Sequence, residues 1–120
     1  MTVRRVSTGT SWEAVVGYSR AVAAGDTIYV SGCTSVEGSA YDQTVRSLAT
    51  VRAALEELGA SMSQVVRTRL YVTDIADWQE VGRAHREVFA DALPATALVQ
   101  VAGLIDPRMR VEVEAVAWTG

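Results

Sequence analysis

Two carboxylates, Glu112 and Glu114, stand two residues apart in a closing segment that alternates between two kinds of side chain. Met109, Val111, Val113, Ala115 and Ala117 make an apolar row, and Arg110, Glu112, Glu114, Val116 and Trp118 make a mixed row pointing the other way. With the apolar row under helices, the mixed row places both acids on an uncovered face beside a valine and a tryptophan. Such a surface suits packing against other subunits, with Glu112 near the resulting cleft, although an ordinary solvated face gives the same pattern. A carboxylate in a partly closed apolar cleft holds its proton more tightly than one in water, which suits a general acid or base. Glu112 is therefore the candidate catalytic residue. A rim or interface ion pair with an arginine such as Arg110 is the competing reading, and Glu114 reads as structural.

Other reactive side chains are few. Arg20 follows Tyr18 by two residues, so on a strand both would face one side, and Arg20 could bind an anion or act as a surface partner. Cys33 follows Gly32 at a strand end; a nucleophilic role needs a neighbouring cation or base, and a buried inert thiol is the simpler reading. His85 comes four residues after Val81 on a helical pattern, as a hydrogen-bonded histidine at a core edge would. Trp12, Trp78 and Trp118 suit packing or pocket walls.

What the sequence lacks is equally informative. All 11 basic residues are arginine, which excludes a Schiff-base lysine and a P-loop lysine. One histidine and one cysteine exclude a Cys/His zinc cluster within one chain, so no metal is expected. A net charge of −3 without a basic block argues against nucleic acid. No apolar run reaches the roughly 20 residues of a membrane span, and the amino-terminal residues do not read as a secretory signal; the cytoplasm is the expected location.

The elements that must position these groups follow from periodicity. The 120 residues read as one domain, 1–120, without repeat or linker. Tyr18 to Ala23 and Thr27 to Gly32 read as strands of a hairpin turning through Ala24-Gly25-Asp26, and residues 37–41 as a loop. From about Asp42, Val45, Leu48, Val51 or Arg52, Leu55 and Leu58 recur at helical spacing up to Gly59, with Gln43 and Ser47 falling elsewhere. Ser61-x-x-Gln64 caps a short turn, Val66 to Thr73 is a strand, and Asp77-x-x-Glu80 caps a second helix with Val81, Ala84 or His85, Val88 and Phe89 inward. Strands at Ala95 to Ala102 and about Met109 to Trp118 complete an order β-β-α-β-α-β-β, an α+β fold with one mixed sheet and two helices on one face.

Gly17-Tyr18-Ser19-Arg20-Ala21-Val22, Val30-Ser31-Gly32, Gln43-Thr44, Leu58-Gly59-Ala60-Ser61, Val65-Val66-Arg67-Thr68, Val72-Thr73-Asp74, Pro94-Ala95 and Val111-Glu112-Val113-Glu114-Ala115-Val116-Ala117 together resemble the Rid, or YjgF, family of reactive-intermediate deaminases. The resemblance implies a chorismate-mutase-like fold assembled as a homotrimer, with small-molecule pockets between subunits and cofactor-free addition of water to an enamine or imine. It also implies that Tyr18 and Gly32 border the pocket and that Glu112 handles the water. In the family an arginine after Pro-Ala grips the substrate carboxylate; here Thr96 stands there, Leu98 replaces a cysteine, Gly82 an asparagine and Cys33 a glutamine, while Trp78 occupies the place of a phenylalanine. A threonine hydroxyl offers one neutral hydrogen bond in place of a bidentate ionic contact, so the expected ligand is larger or uncharged rather than a standard 2-imino acid. A non-catalytic small-molecule binder and an RNA-acting translation inhibitor are the alternatives that the same family suggests.

Overall fold

The computed structural model describes residues 2–120. Its elements run β1 (Val3–Val6), α1 (Ser11–Val16), β2 (Ala21–Ala24), β3 (Thr27–Thr34), α2 (Ala40–Glu57), β4 (Val65–Val72), α3 (Trp78–Phe89), β5 (Ala95–Gln100) and β6 (Val111–Trp118). The strands form one sheet in the order β1-β2-β3-β6-β4-β5, in which only the β4–β5 pair is parallel. The mixed sheet of an α+β fold is as expected. The helix inventory is larger by α1, and β1 adds an edge strand that the sequence reading lacks.

Alternation on β6 decides how the sheet is used. Val111, Val113, Ala115 and Ala117 are buried in the core with Ile28, Val30, Leu70 and Val72 from neighbouring strands, and Leu48, Val51, Leu55 and Val81 come down on them from α2 and α3. Arg110, Glu112, Glu114 and Val116 are half-buried on the opposite face, and Trp118 is exposed there. The two long helices therefore cover one face and leave the acids on the other.

Local chemistry sets the helix boundaries. Ser39 Oγ accepts from the Asp42 amide at 3.1 Å and Asp42 Oδ2 accepts from the Ser39 amide at 3.1 Å, which starts α2 two residues earlier than its apolar period suggests. The stripe itself differs from expectation. Val45 is 40% exposed whereas Gln43 and Ser47 are buried. The reason for Gln43 is that its amide bonds both Arg108 O (3.1 Å) and the Arg110 amide (2.8 Å), tying the helix to the entry of β6. At α3, Asp77 does not cap. Asp74 instead accepts from the Ala76 amide at 2.9 Å and opens a short 3₁₀ turn, while Asp77 takes two contacts from Arg110 Nη2 at 2.9 and 3.0 Å.

Helix α1 lacks a buried apolar stripe. Val15 and Val16 are exposed, and the buried residue is Glu13. Its carboxylate accepts from the hydroxyls of Thr8 (2.5 Å), Ser7 (2.9 Å) and Thr10 (3.0 Å) and from the Thr8 amide (3.2 Å). These bonds, led by Thr8, hold the carboxyl well below its usual range, at about 2, against the opposing effect of burial. Gly17, at φ 89°, then ends the helix in a conformation that other residues adopt at a cost. No helix among the described residues is long and apolar enough to cross a membrane.

Candidate functional site

On the open face, the loop before β2, the far half of β3 and the start of β6 enclose a cavity of about 910 Å³. Tyr18, Arg20, Gly32, Cys33, Glu112 and Glu114 line it, and Trp12 and Val16 of α1 form its apolar rim. Five of the sequence-derived site residues, namely Glu112, Tyr18, Gly32, Cys33 and Arg20, are thus brought together.

Glu112 lies flat against Gly32. A Cβ built on Gly32 would stand 2.0 Å from Glu112 Oε2, so glycine is what allows the carboxylate to approach the β3 backbone. Burial pushes the Glu112 carboxyl above its usual value, the neighbouring Glu114 charge pushes it the same way, and the Arg20 charge offsets part of this. Among the described residues Glu112 has no ion pair. Arg110, the partner that the competing reading offered from a neighbour, is engaged with Asp77 of its own chain. Glu114 is committed as well, accepting from the Tyr71 hydroxyl and lying 4.0 Å from Arg69 Nη1. A half-buried carboxylate with raised proton affinity and no ion pair among the described residues has the character of a general acid or base.

Arg20 is 5% exposed, and its guanidinium lies 5.7 Å from the Tyr18 ring centroid. Both residues face the cavity, although Tyr18 to Arg20 precede β2 rather than belonging to it. Cys33 is 1% exposed, within β3 rather than beyond its end, and 3.3 Å from Arg20 Nη1. Burial outweighs the lowering effect of Arg20 and pushes the thiol up to about 11, which describes a neutral, inert cysteine.

The remaining candidates lie elsewhere in the chain. Leu98 packs against the core, and Thr96 turns its hydroxyl toward the helix side, where it lies 2.8 Å from Thr68 Oγ1. Thr68 is also 2.8 Å from His85 Nε2, and Thr96 donates to Pro94 O at 3.1 Å. When the Thr96 proton goes to Pro94 O, Thr68 donates to Thr96 and accepts from His85 Nε2–H; when Thr96 donates to Thr68, Thr68 donates to His85 Nε2. Burial keeps His85 below its usual proton affinity and so neutral. Gly82 on α3 has open space where a side chain would begin, and Trp78, 54% exposed, opens that helix outside the cavity. The chain holds two separate groups of candidates, one on each face of the sheet.

An α+β sheet whose open face carries a glycine-backed carboxylate in a small-molecule-sized cavity defines a class of compact ligand-binding proteins, and likeness to known chains narrows it. A family model described as Endoribonuclease L-PSP matches residues 8–119. The crystal structure of a Mycobacterium tuberculosis member of the YjgF/YER057c/UK114 family superposes with a TM-score of 0.95 at 43% identity, over 98% of this chain and 99% of that one. An uncharacterized Streptomyces coelicolor protein is 42% identical over 98% of this chain and 93% of its own length. A mouse protein named 2-iminobutanoate/2-iminopropanoate deaminase is 33% identical over 98% of this chain and 93% of its own. The chain belongs to the Endoribonuclease L-PSP family, which is the YjgF/Rid family.

Proposed function

We propose that the protein is a cofactor-free, single-domain enzyme of the cytoplasm that adds water to a reactive enamine or imine. Water oxygen bonds to the C=N carbon, the carbon–nitrogen bond breaks, and ammonia leaves with a carbonyl product. An enamine first tautomerises to the imine; Glu112 then relays one water proton to nitrogen as the carbinolamine forms and the carbinolamine hydroxyl proton to nitrogen as the carbon–nitrogen bond breaks, so both water protons leave with ammonia and no added reagent is needed. Tyr18 and Gly32 orient the ligand beside it. The observation that carries this reading is the unpaired, half-buried Glu112 carboxylate against Gly32 in the cavity.

The assembly belongs to the same proposal. Thr96, Leu98, Gly82 and Trp78 are separated from Glu112 within one chain, and a homotrimer would bring them from one subunit to the Glu112 face of the next. In that cleft the position after Pro94-Ala95 carries a hydroxyl already committed to Pro94 and Thr68, so it offers no grip for a carboxylate. Ligands larger or less charged than standard 2-imino acids fit such a cleft. The same observation favours a second reading, a trimer that binds a metabolite without converting it. An RNA-directed activity draws no support from a chain of net charge −3.

Ammonia release from 2-aminoacrylate and from a neutral imine, measured side by side on the purified protein, tests the reading. Turnover of the neutral compound with slow turnover of 2-aminoacrylate is expected. Efficient turnover of 2-aminoacrylate would overturn the argument from Thr96, and tight binding with no turnover of either would favour the binder.

A further inference from the structure

Strand β3 carries an extra residue where it passes the Glu112 end of β6. Val30 pairs with Ala115 and Cys33 with Val113, so three steps on one strand match two on the other, and Ser31-Gly32 form a bulge. Bulged carbonyls lose regular ladder partners and must find others. Arg20 supplies them, with Nη1 donating to Gly32 O at 2.8 Å and more weakly to Ser31 O at 3.4 Å. The Ser31 hydroxyl donates to Ser19 O at 2.6 Å and the Ser31 amide to Arg20 O at 2.9 Å, so the backbone carrying Arg20 is stitched to the bulge in both directions.

This guanidinium is placed in an unusual way. It is almost wholly buried, Nε has no acceptor, and no carboxylate among the described residues pairs with it. A buried cation without a partner is costly, and a surface role would not require one. The groups facing Glu112 show what the cation opposes. Glu114 on its own strand is held by Tyr71 of β4 and by Arg69. Cys33 of β3 is a neutral thiol, Glu37 and Arg46 across the cavity pair with each other at 3.8 Å, and Arg110 pairs with Asp77. Arg20 is the positive charge left to act on Glu112.

We propose that Arg20 is a positioning residue for the Glu112 centre: from behind the bulge it holds Gly32 against the Glu112 carboxylate and supplies the countercharge to it. The anion that Arg20 serves is thus the protein's own acid, and the ligand need carry no charge. This inference rests on the role given to Glu112 under Proposed function, and it accounts for a buried arginine whose Nη1 is already committed to the backbone.

Its test uses the whole protein with ¹³C-labelled glutamate, the Glu112 carboxyl resonance being assigned by its loss in Glu112→Gln. In Arg20→Gln the Glu112 titration should move upward by about one pH unit, a tenfold gain in proton affinity, and the pH limb of turnover governed by Glu112 should move with it. Arg20→Lys keeps the charge and loses the planar fork, so its titration should stay within about 0.3 unit of the native one. There the Gly32 amide resonance should move and Cys33 should react at least about tenfold faster with a thiol reagent as the clamp loosens. A shifted Gly32 amide in Arg20→Gln with an unshifted Glu112 titration would reduce Arg20 to a structural bulge brace and overturn the proposal. If Arg20→Gln does not fold, Arg20→Lys decides, because unchanged Gly32 and Cys33 behaviour there would also overturn it. If the native protein converts no imine, Proposed function fails while the carboxyl titration still judges Arg20.

Discussion

Two polar clusters, one on each face of the sheet, differ in how their side chains are partnered. On the helix side, His85, Thr68, Thr96 and Pro94 form a chain in which each hydroxyl proton has an acceptor. On the open face, Glu112 has no ion pair and Arg20 Nε no acceptor among the described residues, beside a cavity of about 910 Å³. Satisfied networks rigidify a fold, whereas unsatisfied groups in a cleft retain free energy for a ligand or a transition state. That contrast supports placing the proposed chemistry on the open face and reading the helix-side chain as scaffold, even where it includes a residue from a family pocket position.

The largest expected effect tests that contrast directly. Glu112→Gln keeps the shape of the side chain and removes its proton chemistry, so turnover should fall by about 10²-fold or more with ligand affinity within a few-fold of native. Parallel kinetic and calorimetric titrations check this. Loss of affinity with turnover per bound ligand retained would make Glu112 a binding group and erase the distinction between the faces.

A smaller effect should come from Gly32→Ala. The added methyl would meet Glu112 Oε2 at 2.0 Å, and the carboxylate, being the flexible end of its side chain, can swing away. Stability should therefore change by less than about 1 kcal/mol while turnover drops about tenfold through misplacement of the acid. Thermal unfolding and kinetics on one preparation separate the two. A large loss of stability with normal turnover would show that Glu112 does not act from the position it occupies against Gly32.

On the other face the ratio should invert. Thr68 is fully buried and joins His85 to Thr96, so Thr68→Val leaves His85 Nε2–H without an acceptor and removes the proton that Thr96 receives. A cost of about 1–3 kcal/mol in denaturant unfolding is expected, with turnover of the surviving folded protein changed less than about threefold. Equal damage to turnover would mean that the helix-side chain reaches the reaction.

How far the sequence foretold these faces depends on which physical signal carried each element. The alternation of β6 is long and regular, and the apolar row and the acidic row lie where it placed them. The hairpin of β2 and β3, the short turn at Met62–Gln64 and both long helices were legible for similar reasons. Helix α1 was not, because the hydrogen bonds of one buried glutamate hold it rather than an apolar period. The α2 stripe was misjudged at Gln43, whose burial depends on an appointment with residues 108 and 110, distant in sequence. Asp77 carried a local capping signature and was claimed by Arg110 from another element. Tyr18 and Arg20, close in the chain, could be grouped from spacing, whereas Gly32 and Cys33 came to the cavity through the family resemblance. The facing of Thr96 and Leu98 could not be read from spacing, since it follows from the parallel register of β5 on β4, which sets Thr96 beside Thr68 and Leu98 beside Leu70.

The smallest effect is expected at Thr96 itself, and the direction of the hydrogen bonds says why. Thr96→Val removes the acceptor for the Thr68 proton and the bond to Pro94 O. Thr68 need not be left unsatisfied, because its hydroxyl can rotate and donate to His85 Nε2 once the ring carries its proton on Nδ1 instead. Neutral imidazole exchanges tautomers without the cost of charging a half-buried group, and burial already disfavours the charged form here. The stability change should therefore be below about 1 kcal/mol, well short of that for Thr68→Val. Its signature should be a switch of the His85 ring from Nε2–H to Nδ1–H, read from ¹⁵N chemical shifts. If Thr96→Val instead destabilises as much as Thr68→Val with no tautomer change, the chain runs in the opposite sense, with Thr96 donating to Thr68 and Thr68 to His85.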